Sequence, residues 1–198
     1  MINRIRKVVE PIIDHLGSFA IKTGLPPIAW TILGVIFALI SGLAYSKVLF
    51  SDGVLGGALL LISGLMDILD GSVARLTKTV SPQGAFLDSI CDRLSEIFVF
   101  TGILIGGNEP LITLLALSFS IMVSYTRARA EGLGVDLAGV GIGERAERII
   151  ALAILSIIGH VHLGVLIVLI LAVITFIERV FRSTLRFKID QINRTKNS

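Results

Sequence analysis

Apolar residues recur in long runs along most of the chain, separated by short connections that are polar or contain glycine. A helix of about 20 apolar residues crosses a bilayer, so the pattern predicts six transmembrane helices. The runs lie at about residues 28–46, 54–74, 85–106, 111–130, 147–160 and 163–181.

The first 22 residues have a different pattern, with apolar side chains at steps of three, one and three. This is the period of an amphipathic helix. The apolar positions are Ile2, Ile5, Val8, Val9, Ile12, Ile13, Leu16 and Phe19. Basic residues on the opposite face suit an anionic leaflet, so we predict a surface helix over residues 1–22. Packing of this helix against the transmembrane bundle is the alternative.

Lysine and arginine predict the orientation, because cytoplasmic connections of membrane proteins carry an excess of both. The connections at residues 46–53, 106–110 and 159–163 hold Lys47 and no other lysine or arginine. Both termini and the connections on their side are therefore expected in the cytoplasm, in a multi-pass protein of the cell membrane. The predicted divisions are a cytoplasmic juxtamembrane helix (1–22), a membrane domain (23–186) and a cytoplasmic tail (187–198).

Composition agrees with an all-α membrane protein. Hydrophobic residues make up 54% of the chain and charged residues 17%, and the mean hydropathy is +0.87, values far from those of a soluble domain. Six spans in 198 residues leave no room for a second globular domain. The basic span ends account for the pI of about 9.3, so no nucleic-acid partner is expected.

Four aspartates interrupt the second and third predicted transmembrane helices. They are Asp67, Asp70, Asp88 and Asp92. Each carboxylate at membrane depth costs about 2.5–3.5 kcal/mol, so four without compensation would cost about 10 kcal/mol or more. At about 100° per residue, the two aspartates of each helix share one face. Small residues share those faces, namely Gly71, Ala74 and Gly84. The two acidic faces are expected to point at each other.

Divalent cations would compensate these carboxylates. The ligands are oxygen atoms alone, because none of the three histidines falls in this stretch, and Mg²⁺, Mn²⁺ and Ca²⁺ bind such ligands. Four aspartates can hold two ions about 3.5–4 Å apart, as phosphoryl-transfer enzymes do. Arg75 and Lys78 add positive charge where a diphosphate would lie. We therefore predict a site for Mg²⁺ or Mn²⁺, with two ions.

A cation channel or transporter is the alternative from a different class, since intramembrane carboxylates also line ion paths. The four aspartates, however, adjoin one connection, and only Asp52 and Glu109 lie toward the opposite end. No inverted repeat, which is typical of transporters, is evident. The sequence therefore favours an enzyme.

The spacing of these residues resembles the signature of the CDP-alcohol phosphotransferase family. The segment from Asp67 to Asp92 fits D-x2-D-G-x2-A-R-x8-G-x3-D-x3-D at every fixed position. The resemblance implies transfer of a lipid phosphate from CDP-diacylglycerol or CDP-archaeol to an alcohol, with release of CMP. It also implies a homodimer.

The resemblance further implies roles for individual residues. Asp67, Asp70 and Asp88 bind the metal ions and hold the diphosphate through them. Asp92, a fourth carboxylate of the metal site, is the catalytic base for the acceptor hydroxyl. The residues implied to bind the CDP-lipid are Pro27, Thr31, Asp67, Gly71, Ala74, Arg75, Ser81 and Gly84.

A second polar cluster bears on the acceptor. Residues 124–131 and 143–148 place several arginines at the ends of the fourth and fifth predicted helices. Arginine binds phosphate in a bidentate manner, which favours a phosphorylated acceptor; ordinary anchoring at the membrane surface is the alternative.

These segments resemble the S-Y-x-K-A-R-A-E and E-R-x-E-R stretches of phosphatidylinositol phosphate synthases, with Arg127 in place of the usual lysine. The resemblance implies inositol phosphate as the acceptor. Its implied pocket consists of Ser124, Arg127, Arg145 and Arg179. A phosphatidylglycerol phosphate synthase, whose acceptor also carries phosphate, is the alternative.

Overall fold

The computed structural model describes residue 13 and residues 15–48 and 53–196, with side chains up to residue 189. All regular structure in these residues is helical. The helices are α1 (Pro27–Tyr45), α2 (Gly53–Leu76), α3 (Pro82–Ile105), α4 (Pro110–Glu131), α5 (Arg145–Ile157) and α6 (Val161–Lys196). Residues 15–21 are also helical, whereas most of the predicted surface helix, residues 1–12 and 14, lies outside the described residues.

Proline marks the start of three helices. Pro27, Pro82 and Pro110 occupy the first turns of α1, α3 and α4, where the missing N–H has no helical partner to lose and the fixed φ suits the helix. Ser81 precedes α3, and its Oγ accepts a hydrogen bond from the Gly84 backbone N–H at 3.1 Å. This cap holds Ser81 and Gly84 together at the start of the helix that carries Asp88 and Asp92.

The six predicted apolar segments are all helical, and their lengths and compositions differ. Among the described residues, four helices are long and apolar enough to cross a membrane: α1, α2, α4 and residues 161–189 of α6. Helix α3 has 24 residues but carries four charged side chains along its length. They are Asp88, Asp92, Arg93 and Glu96. Helix α5 has only 13 residues.

Helix α1 packs closely against both α2 and α3. A Cβ atom added to Gly102 of α3 would overlap the carbonyl group of Gly42 of α1, so the two backbones are in direct contact, as in other membrane helix pairs with small residues at the interface. Ser41 Oγ of α1 donates a hydrogen bond to the Gly56 carbonyl of α2 at 2.7 Å. These contacts hold the two aspartate-bearing helices against a common neighbour.

The other half of the molecule consists of α4, α5 and α6, and α5 also packs on α2. The connection at residues 132–144 buries Val135 and Leu137 in a cluster that contacts Phe187. This packing involves a part of α6 that lies beyond the predicted end of the last span. Helix α6 is 36 residues long, so the segment predicted as a tail is helical through residue 196.

Candidate active site

Three of the four aspartates form a compact cluster between α2 and α3. Carboxylate oxygens of Asp67, Asp70 and Asp88 lie within 4.8 Å of one another. Thr31 of α1 donates a hydrogen bond from Oγ1 to Asp70 Oδ2 at 2.7 Å, and Asp70 is buried. Oδ1 of Asp88 is also buried and has no hydrogen-bond partner among the described residues.

This cluster fits a hard divalent cation. Its ligands are carboxylate oxygens from neighbouring helices, which Mg²⁺ and Mn²⁺ bind in proteins. A buried carboxylate oxygen without a partner is costly, and a cation would satisfy Oδ1 of Asp88. The hydroxyl of Thr31 fixes the orientation of Asp70, as the outer-shell partners of metal ligands commonly do.

Asp92 lies one helical turn after Asp88, and its oxygens face arginines. Oδ1 lies 2.8 Å from Arg145 Nη1, and Oδ2 lies 3.0 Å from Arg93 Nη1. The same Nη1 atom of Arg145 donates to Asp67 Oδ2 at 2.8 Å. Asp92 is therefore linked to the three-carboxylate cluster through the Arg145 guanidinium.

A cavity of about 460 Å³ opens on one side of the carboxylates. Asp70 and Asp88 line it, together with every predicted CDP-lipid residue except Asp67. These are Pro27, Thr31, Gly71, Ala74, Arg75, Ser81 and Gly84. A Cβ atom at Gly71 would lie 3.3 Å from Arg75 Nη1, and one at Gly84 would lie 3.2 Å from Ser81 Oγ. Glycine at these positions keeps this part of the wall free of side chains. The cavity is here called the donor cavity, after the predicted CDP-lipid residues that line it.

A second cavity, of about 490 Å³, opens among α2, α3, α4, α5 and α6. Asp67 and Asp92 line it. The four predicted acceptor residues, Ser124, Arg127, Arg145 and Arg179, line it as well, and so do Arg93, Glu144 and Arg148. The structure thus brings all four predicted acceptor residues to one cavity, here called the acceptor cavity, beside two of the aspartates.

Protein contacts fix the guanidinium of Arg179. Its Nε donates to the Val140 carbonyl at 2.9 Å, and Nη1 donates to the Val123 carbonyl at 2.8 Å. Nη2 lies 3.4 Å from Glu144 Oε1. Arg179 therefore ties α4 and the 132–144 connection to α6 and places positive charge at the wall of the acceptor cavity. Arg127 instead forms an exposed ion pair with Glu131 at 2.8 Å.

The sequence gives Glu96 no role and places Arg148 only in the arginine cluster of residues 143–148, yet the two side chains form a buried ion pair beside the site. Glu96 Oε1 accepts a hydrogen bond from Arg148 Nη2 at 2.9 Å. Glu96 follows Asp92 by four residues, so it extends the acidic face of Asp88 and Asp92 by one helical turn. That spacing is the signal that could have identified Glu96.

Comparison with known proteins agrees with this geometry. An archaetidylinositol phosphate synthase of Pyrococcus horikoshii is 39% identical over 189 residues, which cover 95% of this chain and 99% of that protein. One from Methanothermobacter thermautotrophicus is 42% identical over 161 residues, covering 81% of this chain and 79% of the relative.

Solved structures show the same fold. The crystal structure of Mycobacterium tuberculosis phosphatidylinositol phosphate synthase (PgsA1) with CDP-DAG bound has a TM-score of 0.75 and 27% identity, covering 87% of this chain and 94% of that one. The structure of the same protein in complex with manganese and citrate also has a TM-score of 0.75 and 27% identity, with coverage of 86% and 88%.

Residues 25–181 match the CDP-alcohol phosphatidyltransferase family. The match confirms the family expected from the aspartate signature and sets aside the cation-transport alternative. This chain belongs to the CDP-alcohol phosphatidyltransferase family.

Proposed function

We propose that this protein transfers a lipid phosphate group from a CDP-lipid to inositol phosphate and releases CMP, a step of phospholipid synthesis. The proposal rests on the way the four aspartates are divided between two cavities. Asp70 and Asp88 line the donor cavity, whereas Asp67 and Asp92 line the acceptor cavity. Two substrates bound in these cavities would each have a reacting group beside carboxylates of one cluster.

The donor cavity has the features that a CDP-lipid requires. Gly71 and Gly84 leave its wall open, and Arg75 provides a positive charge for the diphosphate. The CDP-DAG bound to the M. tuberculosis relative supports this assignment. Relatives are named as archaetidylinositol and as phosphatidylinositol phosphate synthases, so the donor is CDP-archaeol or CDP-diacylglycerol.

The acceptor cavity favours a phosphorylated alcohol. Arg127, Arg145 and Arg179 line it, and the planar guanidinium group matches the geometry of phosphate oxygens. Hydroxyl groups can bind Ser124 and Glu144 in the same cavity. The similarity to archaetidylinositol and phosphatidylinositol phosphate synthases supports inositol phosphate as this alcohol.

The proposed roles follow from these positions. Asp67, Asp70 and Asp88, with Asp92 as a fourth carboxylate, hold two divalent ions, Mg²⁺ or Mn²⁺; manganese in the M. tuberculosis relative supports this. Bound ions would polarise the transferred phosphate and neutralise the charge of the departing CMP. Asp92 accepts the proton of the acceptor hydroxyl, whose oxygen forms a bond to the lipid-side phosphorus while the bond from that phosphorus to the CMP oxygen breaks. Arg145 and Arg93 hold the Asp92 carboxylate in place.

We also propose that all six helices cross the membrane, with both termini in the cytoplasm and residues 1–22 on the inner surface. Helix α5 has 13 residues, or about 20 Å at 1.5 Å per residue, which is short for a hydrocarbon core of about 30 Å. A span shorter than the hydrocarbon core is accommodated by local thinning of the bilayer or by flanking residues that reach its surface. Residues 23–186 form the membrane domain and residues 187–198 the cytoplasmic tail, which is helical through residue 196.

Cysteine labelling tests this orientation. In a Cys91→Ala background, Lys47→Cys is expected to react with an impermeant maleimide in intact cells, and Lys188→Cys only after lysis. Labelling in the opposite pattern would contradict the topology. We also propose the homodimer that the family resemblance implies, and cross-linking of the purified protein tests it: a band at twice the mass of the chain is expected.

Product formation by purified protein in detergent tests the function. CDP-archaeol and CDP-diacylglycerol are each supplied with Mg²⁺ and with inositol phosphate, glycerol phosphate, inositol or serine. We expect CMP and a lipid phosphoinositol product with inositol phosphate. Preferential turnover of glycerol phosphate would identify a phosphatidylglycerol phosphate synthase instead, and no CMP with any pair would overturn the proposed function.

A further inference from the structure

A buried ion pair joins α3 and α5 beside the acceptor cavity. The side chains of Glu96 and Arg148 are 7% and 3% exposed, and Glu96 Oε1 lies 2.9 Å from Arg148 Nη2. Arg148 Nη1 donates a further hydrogen bond to the Gly143 carbonyl at 2.7 Å. The pair therefore fixes α3, which carries Asp92, relative to α5 and to the end of the 132–144 connection.

The same carboxylate also faces Arg145. Glu96 Oε1 lies 3.9 Å from Arg145 Nε, while Arg145 Nη1 lies 2.8 Å from both Asp67 Oδ2 and Asp92 Oδ1. The Arg145 guanidinium is thus placed between Glu96 and the two aspartates that line the acceptor cavity. A shift of Glu96 would therefore change the position of the Arg145 guanidinium, which contacts Asp92, the proposed base.

A small internal cavity of about 20 Å³ adjoins the pair. Residues that line it contribute four buried polar atoms with no hydrogen-bond partner in the described part of the chain. These atoms are Glu96 Oε2, Ser120 Oγ, Arg145 Nε and Arg148 Nε. A cavity of about 10–15 Å³ or more holds one water molecule if two to four polar groups can bind it. Two N–H donors, a carboxylate acceptor and a hydroxyl meet that requirement.

We propose that Glu96 and Arg148, completed by one buried water molecule, are positioning residues that hold Arg145 between the aspartates and the acceptor. The inference rests on the proposed function, because that function gives Arg145 an acceptor phosphate to bind. A guanidinium fixed before binding loses less freedom when the substrate arrives, which favours both affinity and alignment. Outer-shell partners act in this way at metal sites.

A double substitution separates positioning from simple support of the fold. Removal of one partner leaves the other buried and unpaired and is strongly destabilising, whereas removal of both is often tolerated. The variant Glu96→Gln/Arg148→Gln is therefore expected to regain most of the thermal stability that each single substitution loses. Its kcat/KM for inositol phosphate is expected to stay about tenfold below wild type, with the KM for CDP-lipid unchanged. Recovery of kcat/KM together with stability would overturn the inference.

Ser120 tests the water molecule. Ser120→Val fills the small cavity and leaves both charged residues in the chain, so the acceptor KM should rise severalfold. An unchanged acceptor KM in the folded variant would refute the water site. Glu178→Gln is the control, because Glu178 forms a half-exposed pair with Arg182 that lines neither cavity, and it should leave both KM values unchanged. If the wild-type protein releases CMP and the Glu96, Arg148 and Ser120 variants have the same kinetic constants, the inference alone fails. If the wild type is inactive with every acceptor, the proposed function fails.

Discussion

Arg145 Nη1 and Asp92 Oδ1 lie 2.8 Å apart, which joins the start of α5 to the middle of α3. Arg145 lines the acceptor cavity and Asp92 is the proposed base. A phosphorylated alcohol bound by Arg145 would therefore have its hydroxyl groups near the carboxylate that is to receive a proton. Two predictions test the two ends of this contact.

Arg145→Ala should weaken binding of the acceptor and leave binding of the donor unchanged. Loss of a hydrogen bond to a charged group costs about 1.5–3 kcal/mol, so the KM for inositol phosphate should rise about 10- to 100-fold. CMP release measured against each substrate in turn separates the two constants. Arg182→Ala, at an exposed arginine, is the control. A rise confined to the KM for CDP-lipid would show that the acceptor pocket is misplaced.

Asp92→Asn should abolish product formation while the protein still binds CDP-lipid. General-base catalysis contributes about 10²- to 10⁴-fold, and an amide of the same shape cannot accept the proton. Asp136→Asn is the control, because Asp136 is exposed and its Oδ1 accepts a hydrogen bond from the Ala138 N–H at 2.8 Å, which an amide oxygen can also accept. Retention of more than about a tenth of the activity in Asp92→Asn would exclude Asp92 as the base.

Thr31→Val should raise the concentration of Mg²⁺ that gives half-maximal activity. The substitution keeps the size of the side chain but removes the hydroxyl that donates to Asp70 Oδ2 at 2.7 Å. Loss of such a partner typically weakens metal binding about 10- to 100-fold. The exposed Thr184, whose hydroxyl bonds the Val180 carbonyl, provides the control as Thr184→Val. An unchanged Mg²⁺ requirement in Thr31→Val would show that the Thr31 hydroxyl does not support a metal ligand at Asp70.

Two glycines test whether the cavities bind different substrates. Gly84 lines the donor cavity and Gly64 lines the acceptor cavity, and a Cβ atom at Gly64 meets only Ile149 Cγ2, at 3.4 Å. Gly84→Val should raise the KM for CDP-lipid, and Gly64→Val should raise the KM for inositol phosphate, each about tenfold or more. Each variant is the control for the other. The reverse pattern would exchange the assignments of the cavities.

The aspartate cluster was predictable because helix periodicity is local. Asp67 and Asp70 share one helix face at any position of α2, and the short connection to α3 brings Asp88 beside them. The family signature then supplied the residues of the donor cavity. All of the predicted residues line that cavity except Asp67. Arg145 was expected only in the acceptor pocket, but it also contacts Asp67 and Asp92.

The pair of Glu96 and Arg148 was not predictable in the same way. Their side chains meet across 52 positions of sequence, and helical periodicity does not specify which faces of distant helices meet. The length of α6 was also not predicted, because hydropathy falls where the helix leaves the apolar segment. The helix continues past that point, and its Phe187 packs on the 132–144 connection. The number and the order of the apolar segments can be predicted from local sequence. The ends of the helices and the polar pairs between helices depend on packing.

Anomalous diffraction from crystals grown with Mn²⁺ and a CDP-lipid tests the central claim, that the aspartates lining the two cavities bind divalent ions. We expect two Mn²⁺ peaks, each with oxygen ligands from among Asp67, Asp70, Asp88 and Asp92. Absence of anomalous density at these carboxylates, in crystals that contain the CDP-lipid, would contradict the account.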